Sequence, residues 1–363
     1  MLLFVLTVAF PLFIGVFCGE INVRANALLM PPLFDKSIDA ITVDQYGSYY
    51  ASGFRNLTGL IGEVFHWKND GANYNDQFPV PARRTTDQKD PVIAGARILK
   101  GNKLLLTGLN LAVLVRRLHT HLFKSDSSNQ RVLLIQSNGT QTEFCGNPLM
   151  LQPNDLAIST GSEGRIFLSG QNFSDDSTAG VSGDLWTCEI GRAYKFSSDI
   201  LAKAGIHRTN GIETSPDGRT LYLSSSKNVK KAVVENVIFT FQLDGHGLVP
   251  HQKPKVFHNF TEPGEASIDI DGMRTDIDGN LYVTRNGAGR VIVFGPDAQI
   301  KQNISMPYSA GPSNLELGGQ DGKQLVMVGK CAPESNFGCA AYADALAPGK
   351  AFTALQAPSD SVP

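Results

Sequence analysis

The sequence lacks the motifs that announce most hydrolases and nucleotide enzymes. No Gly-x-Ser-x-Gly, His-Glu-x-x-His, Cys-x-x-Cys or Gly-x-x-x-x-Gly-Lys segment occurs in its 363 residues. A serine-hydrolase elbow, a zincin helix, a thioredoxin-like dithiol and a phosphate-cradling loop are therefore set aside. Charge is also scarce. Asp, Glu, Lys and Arg make up 18% of the chain, the formal net charge is -2, and there is no run of Lys or Arg. Such a surface has no electrostatic footprint for nucleic acid. Apolar residues reach 42%, with 36 Gly and 19 Pro, a balance that suits a large core interrupted by many turns and opposes disorder or a coiled coil.

A single long uncharged apolar run is present, MLLFVLTVAFPLFIGVFC at residues 1–18. Its length, the break at Pro11 and the small residues that follow fit a signal peptide better than a membrane anchor, so a secreted mature chain with no membrane association is expected. Five Asn-x-Ser/Thr acceptors, at Asn56, Asn138, Asn172, Asn259 and Asn303, agree with that route. Without Cys18, four cysteines remain, and in an oxidising compartment Cys331 is expected to pair with Cys339 and Cys145 with Cys188.

Self-similarity carries the fold. An apolar alternating stretch, a Gly-containing turn and a strand rich in Leu, Tyr, Val and Phe recur at 40–52, 96–108, 156–170, 212–224, 273–285 and 315–329. The turn glycines are Gly47, Gly101, Gly164, Gly218, Gly279 and Gly322, spaced widely enough for four short strands each. Runs such as RVLLIQS, SGDLWTCEI, VIFTFQL and RVIVFG supply outer strands. This pattern predicts an all-β fold, a six-bladed β-propeller with four-stranded antiparallel blades forming one domain over 19–363. A short helix is expected within Lys195–Gly205, LAVLVRRLHTHLF at 111–123 reads as helix or strand, and the tail from Ala340 reads as irregular coil.

Short polar residues stand just before successive core strands: Asn154 in Gln152-Pro-Asn-Asp-Leu, Asn210 in Thr-Asn-Gly-Ile, Asp271 in Ile-Asp-Gly-Met and Asn314 in Pro-Ser-Asn-Leu. Innermost propeller strands all begin near one end of the central channel, so these side chains are expected to converge there. Carboxylate and amide oxygens suit a hard cation. One such residue alone is an ordinary turn residue; four at one phase of a repeat are not. His119 and His121 lack a third partner in sequence, Asp155 and Glu213 adjoin the motif residues as supports, and Trp67 and Trp186 read as core.

Pro153-Asn154-Asp155-Leu156, Thr209-Asn210-Gly211-Ile212 with SPDGRTLYLS, and Asp271-Gly272-Met273 with DIDGNLYVTRNGAGRV resemble the senescence-marker-protein/gluconolactonase/luciferin-regenerating-enzyme family over roughly residues 38–330. The resemblance implies one divalent metal, calcium first, with zinc, manganese or magnesium as alternatives. It implies Asn210 and Asp271 as ligands, with Asn154 beside them. The family's first-blade Glu-Gly-Pro is matched here by Asp39-Ala40-Ile41, making Asp39 the third expected ligand, and Gln152 stands where many members have a substrate-contacting Arg. The reading that follows is a secreted, monomeric, metal-dependent hydrolase of a lactone or related cyclic ester, acting on a small molecule. Asp271 and Asn154 are its catalytic residues; Gln152 and Asn314 contact substrate. Two alternatives stand beside it: a non-catalytic propeller that binds a sugar or protein, and a biosynthetic enzyme that orients a metabolite for cyclisation or condensation.

Overall fold

The computed structural model describes residues 21–28, 38–53, 61–68, 71–73, 93–100, 120–126, 129–135, 141–159, 165–172, 182–230, 232–244, 252–261, 268–307, 309–331 and 338–356. Residues 1–18, read above as a signal peptide, and His119, Gly101, Gly164, Asn56 and Asn138 lie outside them. The described chain is all-β in a propeller-like arrangement, with strands grouped into six sheets.

In chain order, the first strands of these sheets are Ile38–Val43, Ile93–Lys100, Gln152–Ile158, Arg208–Thr214, Asp269–Thr275 and Ser309–Gly318. Each packs against the next, and the sixth returns to the first. They make a closed ring around a channel. From each inner strand the chain steps outward through antiparallel neighbours, and apolar side chains from adjoining sheets fill the space between. Ala157, Phe167 and Leu185 of the third sheet, for example, pack with Ile212, Leu221 and Leu223 of the fourth. Alternation along each strand sends one set of side chains toward one neighbouring sheet and the other set toward the other.

The tight turns behave as their composition requires. Gly47, Gly218, Gly279 and Gly322 take φ of 80°, 68°, 84° and 77°, a region that favours glycine. Asp44, Asp217 and Asp276 hold their turns by accepting backbone N–H groups two or four residues on. The expected helix forms at Ser198–Ala204, capped by Ser197 at its start and by Gly205 in the left-handed conformation at its end.

Three expectations are corrected. Not every sheet has four antiparallel strands, because Ile21–Arg24 adds a fifth to the fifth sheet by pairing parallel to Ile300–Ser305. The neighbouring Asn26–Leu28 completes the sixth sheet against Gly338–Asp344, as a closing strand must when a ring leaves no free edge. In the second sheet Lys100 pairs with Thr120, so the second strand is Thr120–Asp126 and not the Leu-rich stretch after Gly101. The tail is not irregular either: Gly338–Asp344 is a strand and Lys350–Gln356 a helix.

The C-terminal segment covers one end of the channel. Gln356 donates to the Gln45 carbonyl at 2.6 Å, the Pro348 carbonyl accepts from Ile277 at 2.9 Å, and Gly349 donates to Gly322 at 2.9 Å. All three partners lie in or beside the hairpin turns that end inner strands. The starts of those strands, at the other end, form a mouth.

Candidate functional site at the channel mouth

Every inner strand carries a register shift near its start, between Ile38 and Ala40, Ile93 and Gly95, Pro153 and Leu156, Thr209 and Ile212, Ile270 and Met273, and Pro312 and Asn314. A bulge bends its strand and re-aims the extra residue. Asp39, Asn154, Asn210 and Asp271 are each the first residue within their shift, and Asn314 closes the sixth. The second sheet has Ala94 at this place.

The backbone around the mouth is drawn in close by glycine. A Cβ on Gly211 would clash with the Asp271 carbonyl, and one on Gly272 would run into the Asn314 side chain. Asn210, Asp271 and Asn314 are thereby brought onto adjacent inner strands at contact distance of their backbones. Asn314 then reaches the first sheet: its Nδ2 donates to the Asp39 carbonyl at 3.0 Å, while its Oδ1 accepts the Leu315 N–H at 3.0 Å. Gln152 is exposed at the rim; Asn154, Asn210 and Asn314 are buried, and Asp39 and Asp271 half-buried.

Electrostatics distinguish two of these residues. Burial and, after it, the charge of Asp39 push the Asp271 carboxyl well above the ordinary carboxylate range, opposed by a 3.0 Å bond from Asn286 Nδ2. Asn210 Oδ1 is buried with no hydrogen-bond partner. An amide oxygen left in that state, beside mutually repelling carboxylates, suits a cation with oxygen ligands. Among the described residues no three His, Cys, Asp or Glu side chains are gathered to hold a metal, so the fit rests on carboxylates together with amides.

Beneath the mouth lies an ionic belt that sequence reasoning found only in part. Arg97 bridges Asp155 at 3.2 Å and stands 3.9 Å from Glu213; Arg274 reaches Asp155 at 3.4 Å and Glu316 at 3.1 Å. Arg274 also donates to the Ile41 carbonyl at 3.2 Å, and Lys350 pairs with Glu213 from the far end. Asp155 and Glu213 were legible as neighbours of the motif residues. Arg97, Arg274, Glu316 and Lys350 were missed, although lone charges in Ala-Arg-Ile, Met-Arg-Thr and Leu-Glu-Leu are a signal that an inner strand faces a polar channel.

A family model described as the SMP-30/Gluconolactonase/LRE-like region matches residues 105–329. The chain belongs to this family. Among relatives of this SMP-30/gluconolactonase/LRE-like chain, a gluconolactonase of Zymomonas mobilis is 28% identical over 172 residues, covering 43% of each protein. Diisopropyl-fluorophosphatase of Loligo vulgaris is 25% identical over 225 residues, covering 60% of this chain and 62% of that one. The chain thus matches less than two thirds of the length of these relatives. Among solved structures, a calcium-binding regucalcin from Agrobacterium tumefaciens superposes with a TM-score of 0.62 over 91% of this chain and 98% of its own, at 16% identity. That likeness concerns the fold.

Proposed function

We propose that this chain is a metal-dependent hydrolase of a lactone or related cyclic ester, with its six sheets acting as the six blades of one propeller and its active site at the open mouth. The observation that carries the reading is the partnerless Asn210 amide oxygen on the strand beside Asp271. Similarity to a gluconolactonase supports the reaction class, and similarity to a calcium-binding regucalcin supports the ion. The route of secretion read from residues 1–18 belongs to the same proposal.

Asp39, Asn210 and Asp271 would hold one divalent cation, calcium first, with Asn154 beside them. When bound there, such an ion polarises a carbonyl oxygen and acidifies water. Asp271 Oδ2, steadied by Asn286, takes the proton from the attacking water. Asn154 orients that water and the substrate carbonyl. Asn314, which ties the sixth inner strand to the first, and Gln152 at the rim contact the substrate. A small-molecule substrate fits a narrow ring of six strands, and the protein acts as a monomer.

The similarity to diisopropyl-fluorophosphatase makes a phosphorus ester the second electrophile to try. The test is turnover of aldonolactones, aromatic lactones and diisopropyl fluorophosphate by the purified chain, with calcium and with chelator. Opening of a lactone that stops in chelator and returns with calcium is expected. Asn210→Ala should raise the calcium concentration needed by at least about tenfold, the scale of losing one well-placed ligand contact. Lactone opening indifferent to chelator would remove the metal from the mechanism, and no turnover of any compound would favour a binding propeller.

A further inference from the structure

Each sheet ends outward in an edge strand, and most of these edges are blunted. A bare edge offers unpaired N–H and C=O groups to another chain, which short strands, charges or covering segments prevent. The first and sixth sheets end in the three-residue strands Gly71–Asn73 and Asn26–Leu28. The fifth is covered by Ile21–Arg24, whose last residue is charged. Arg192 and Lys195 begin and end the outer strand of the third. That of the second, Gln141–Gly146, carries Glu143 and is tied to the third sheet through Cys145.

The fourth sheet differs. Its outer strand, Lys255–Phe260, reads Lys-Val-Phe-His-Asn-Phe, with no Asp, Glu, Lys or Arg after Lys255, and among the described residues no strand pairs beyond it. Val256 is 60% exposed. The register shift falls between Val256 and His258, so His258–Phe260 pair regularly with Asn236–Ile238. An apolar edge of this kind is a template for a second copy of the chain.

The same strand carries the acceptor Asn259-Phe260-Thr261, and both Asn259 and Thr261 are exposed. His258 and Phe260 turn to the Phe294 ring of the fifth sheet, with centroids 4.6 and 5.9 Å away. Alternation therefore sends Asn259 to the opposite face. Two other acceptor asparagines lie within the described residues, and both are half-buried. Asn172 is one. The other, Asn303, sits on a strand paired on both sides, with its Oδ1 buried and without a partner.

We infer that Asn259 is a modification site, and that an N-linked oligosaccharide on it shields the outer edge of the fourth sheet from pairing with a second copy. In the transfer, Asn259 Nδ2 bonds the anomeric carbon of an oligosaccharide and loses one proton. The bond from that carbon to a lipid diphosphate breaks, and the lipid diphosphate leaves with the electron pair. A bulky, solvated sugar at this place does what charge does on the third sheet. Asn303 stays unmodified, because a sugar there would have to turn out a carboxamide that the fold buries. The inference rests on the secretion reading, since the sugar donor is met on that route.

The test is production of the full chain in secreting eukaryotic cells, with glycans released by an amidase in heavy-oxygen water so that each occupied Asn becomes a labelled Asp. Label at residue 259 and none at 303 is expected. Asn259→Gln and Thr261→Ala should each migrate faster by the mass of one glycan. The folded wild type, stripped of glycans enzymatically, should then associate with rising concentration in sedimentation, while stripped Val256→Lys stays monomeric because a charge now guards the edge. A chain in the medium with label elsewhere and none at 259, or with label at 303, overturns the inference and leaves secretion standing. A stripped wild type that is monomeric at every concentration overturns the shielding. A chain kept in the cytosol with residues 1–18 attached and no site labelled overturns the secretion reading, and the inference with it.

Discussion

Lys350 extends its ammonium into the covered end of the channel and pairs there with Glu213, while also donating to the Thr214 carbonyl at 2.7 Å and hydroxyl at 2.6 Å. The C-terminal helix is thereby tied to the fourth inner strand through groups that are almost wholly buried. Breaking a buried pair by removing one partner leaves the other charge uncompensated and costs on the order of 3 kcal/mol or more. Lys350→Met should lower the thermal midpoint by several degrees in differential scanning calorimetry. An unchanged midpoint would mean that the helix is only laid against the channel.

The same pair sets a pH dependence. Burial alone would raise the Glu213 carboxyl, but the charges of Lys350, Arg97 and Arg274 outweigh it and hold the group below its ordinary value. A depressed carboxylate stabilises the fold above its unfolded pKa, and that contribution is lost as pH falls through the folded one. Denaturant midpoints measured from neutral pH down to about pH 3 should therefore fall below the ordinary glutamate pKa near 4.3. In Lys350→Met the fall should be smaller, since the largest opposing charge is gone and the Glu213 carboxyl is held less far below its unfolded value. Identical acid profiles in the two proteins would contradict this account of Glu213.

Much of this architecture was readable before any coordinates. Asp-Gly turns at Asp217-Gly218 and Asp278-Gly279 between alternating strands marked the hairpins, and Asn154, Asn210 and Asp271 shared one phase of the repeat. The bulges that hold these residues were not readable, because a register shift belongs to a pair of strands and not to either alone. The second sheet misled for a related reason: a Leu-rich stretch after Gly101 has strand character, while the partner of Ile93–Lys100 is the distant Thr120–Asp126. Gly338–Asp344 is Ala-rich, weak in strand propensity, and is held by pairing on both sides. The seven-residue helix after it is too short to stand without packing of Phe352 and Leu355.

Asp271 is expected to matter for chemistry and not for folding. Asp271→Asn retains the size and the contact with Asn286 but removes a charge that Asp39 repels. Lactone turnover should drop by on the order of 10²-fold or more, the scale of losing a general base, with kcat carrying the loss. In chelator the thermal midpoint should stay level or rise. A folded variant with full turnover would end the role given to Asp271.

The two disulfides differ in the loops they close. Cys145–Cys188 spans 43 residues and joins the last strand of the second sheet to the third strand of the third, whereas Cys331–Cys339 spans 8 within the sixth sheet. On loop entropy alone the first stabilises by about 4 kcal/mol and the second by about 2.5 kcal/mol. Cys145→Ser with Cys188→Ser should thus cost more in chemical denaturation than the corresponding double change at Cys331 and Cys339. Peptide mapping without reductant would reveal four free thiols, or a Cys145–Cys331 link, if the pairing is otherwise.

The strands Ile21–Arg24 and Asn26–Leu28 find their partners at Ile300–Ser305 and Gly338–Asp344, almost the whole chain away. During synthesis they emerge before every other described strand and wait longest, with backbone groups ready to pair and nothing yet made to receive them. The ring can lock only when the last sheet has been translated, so five completed sheets remain an open arc with two edges. Pairings of such sequence separation make folding slow. Any chaperone need, misassembly or proteolysis that this chain suffers should concentrate in that interval, before its first strands meet its last.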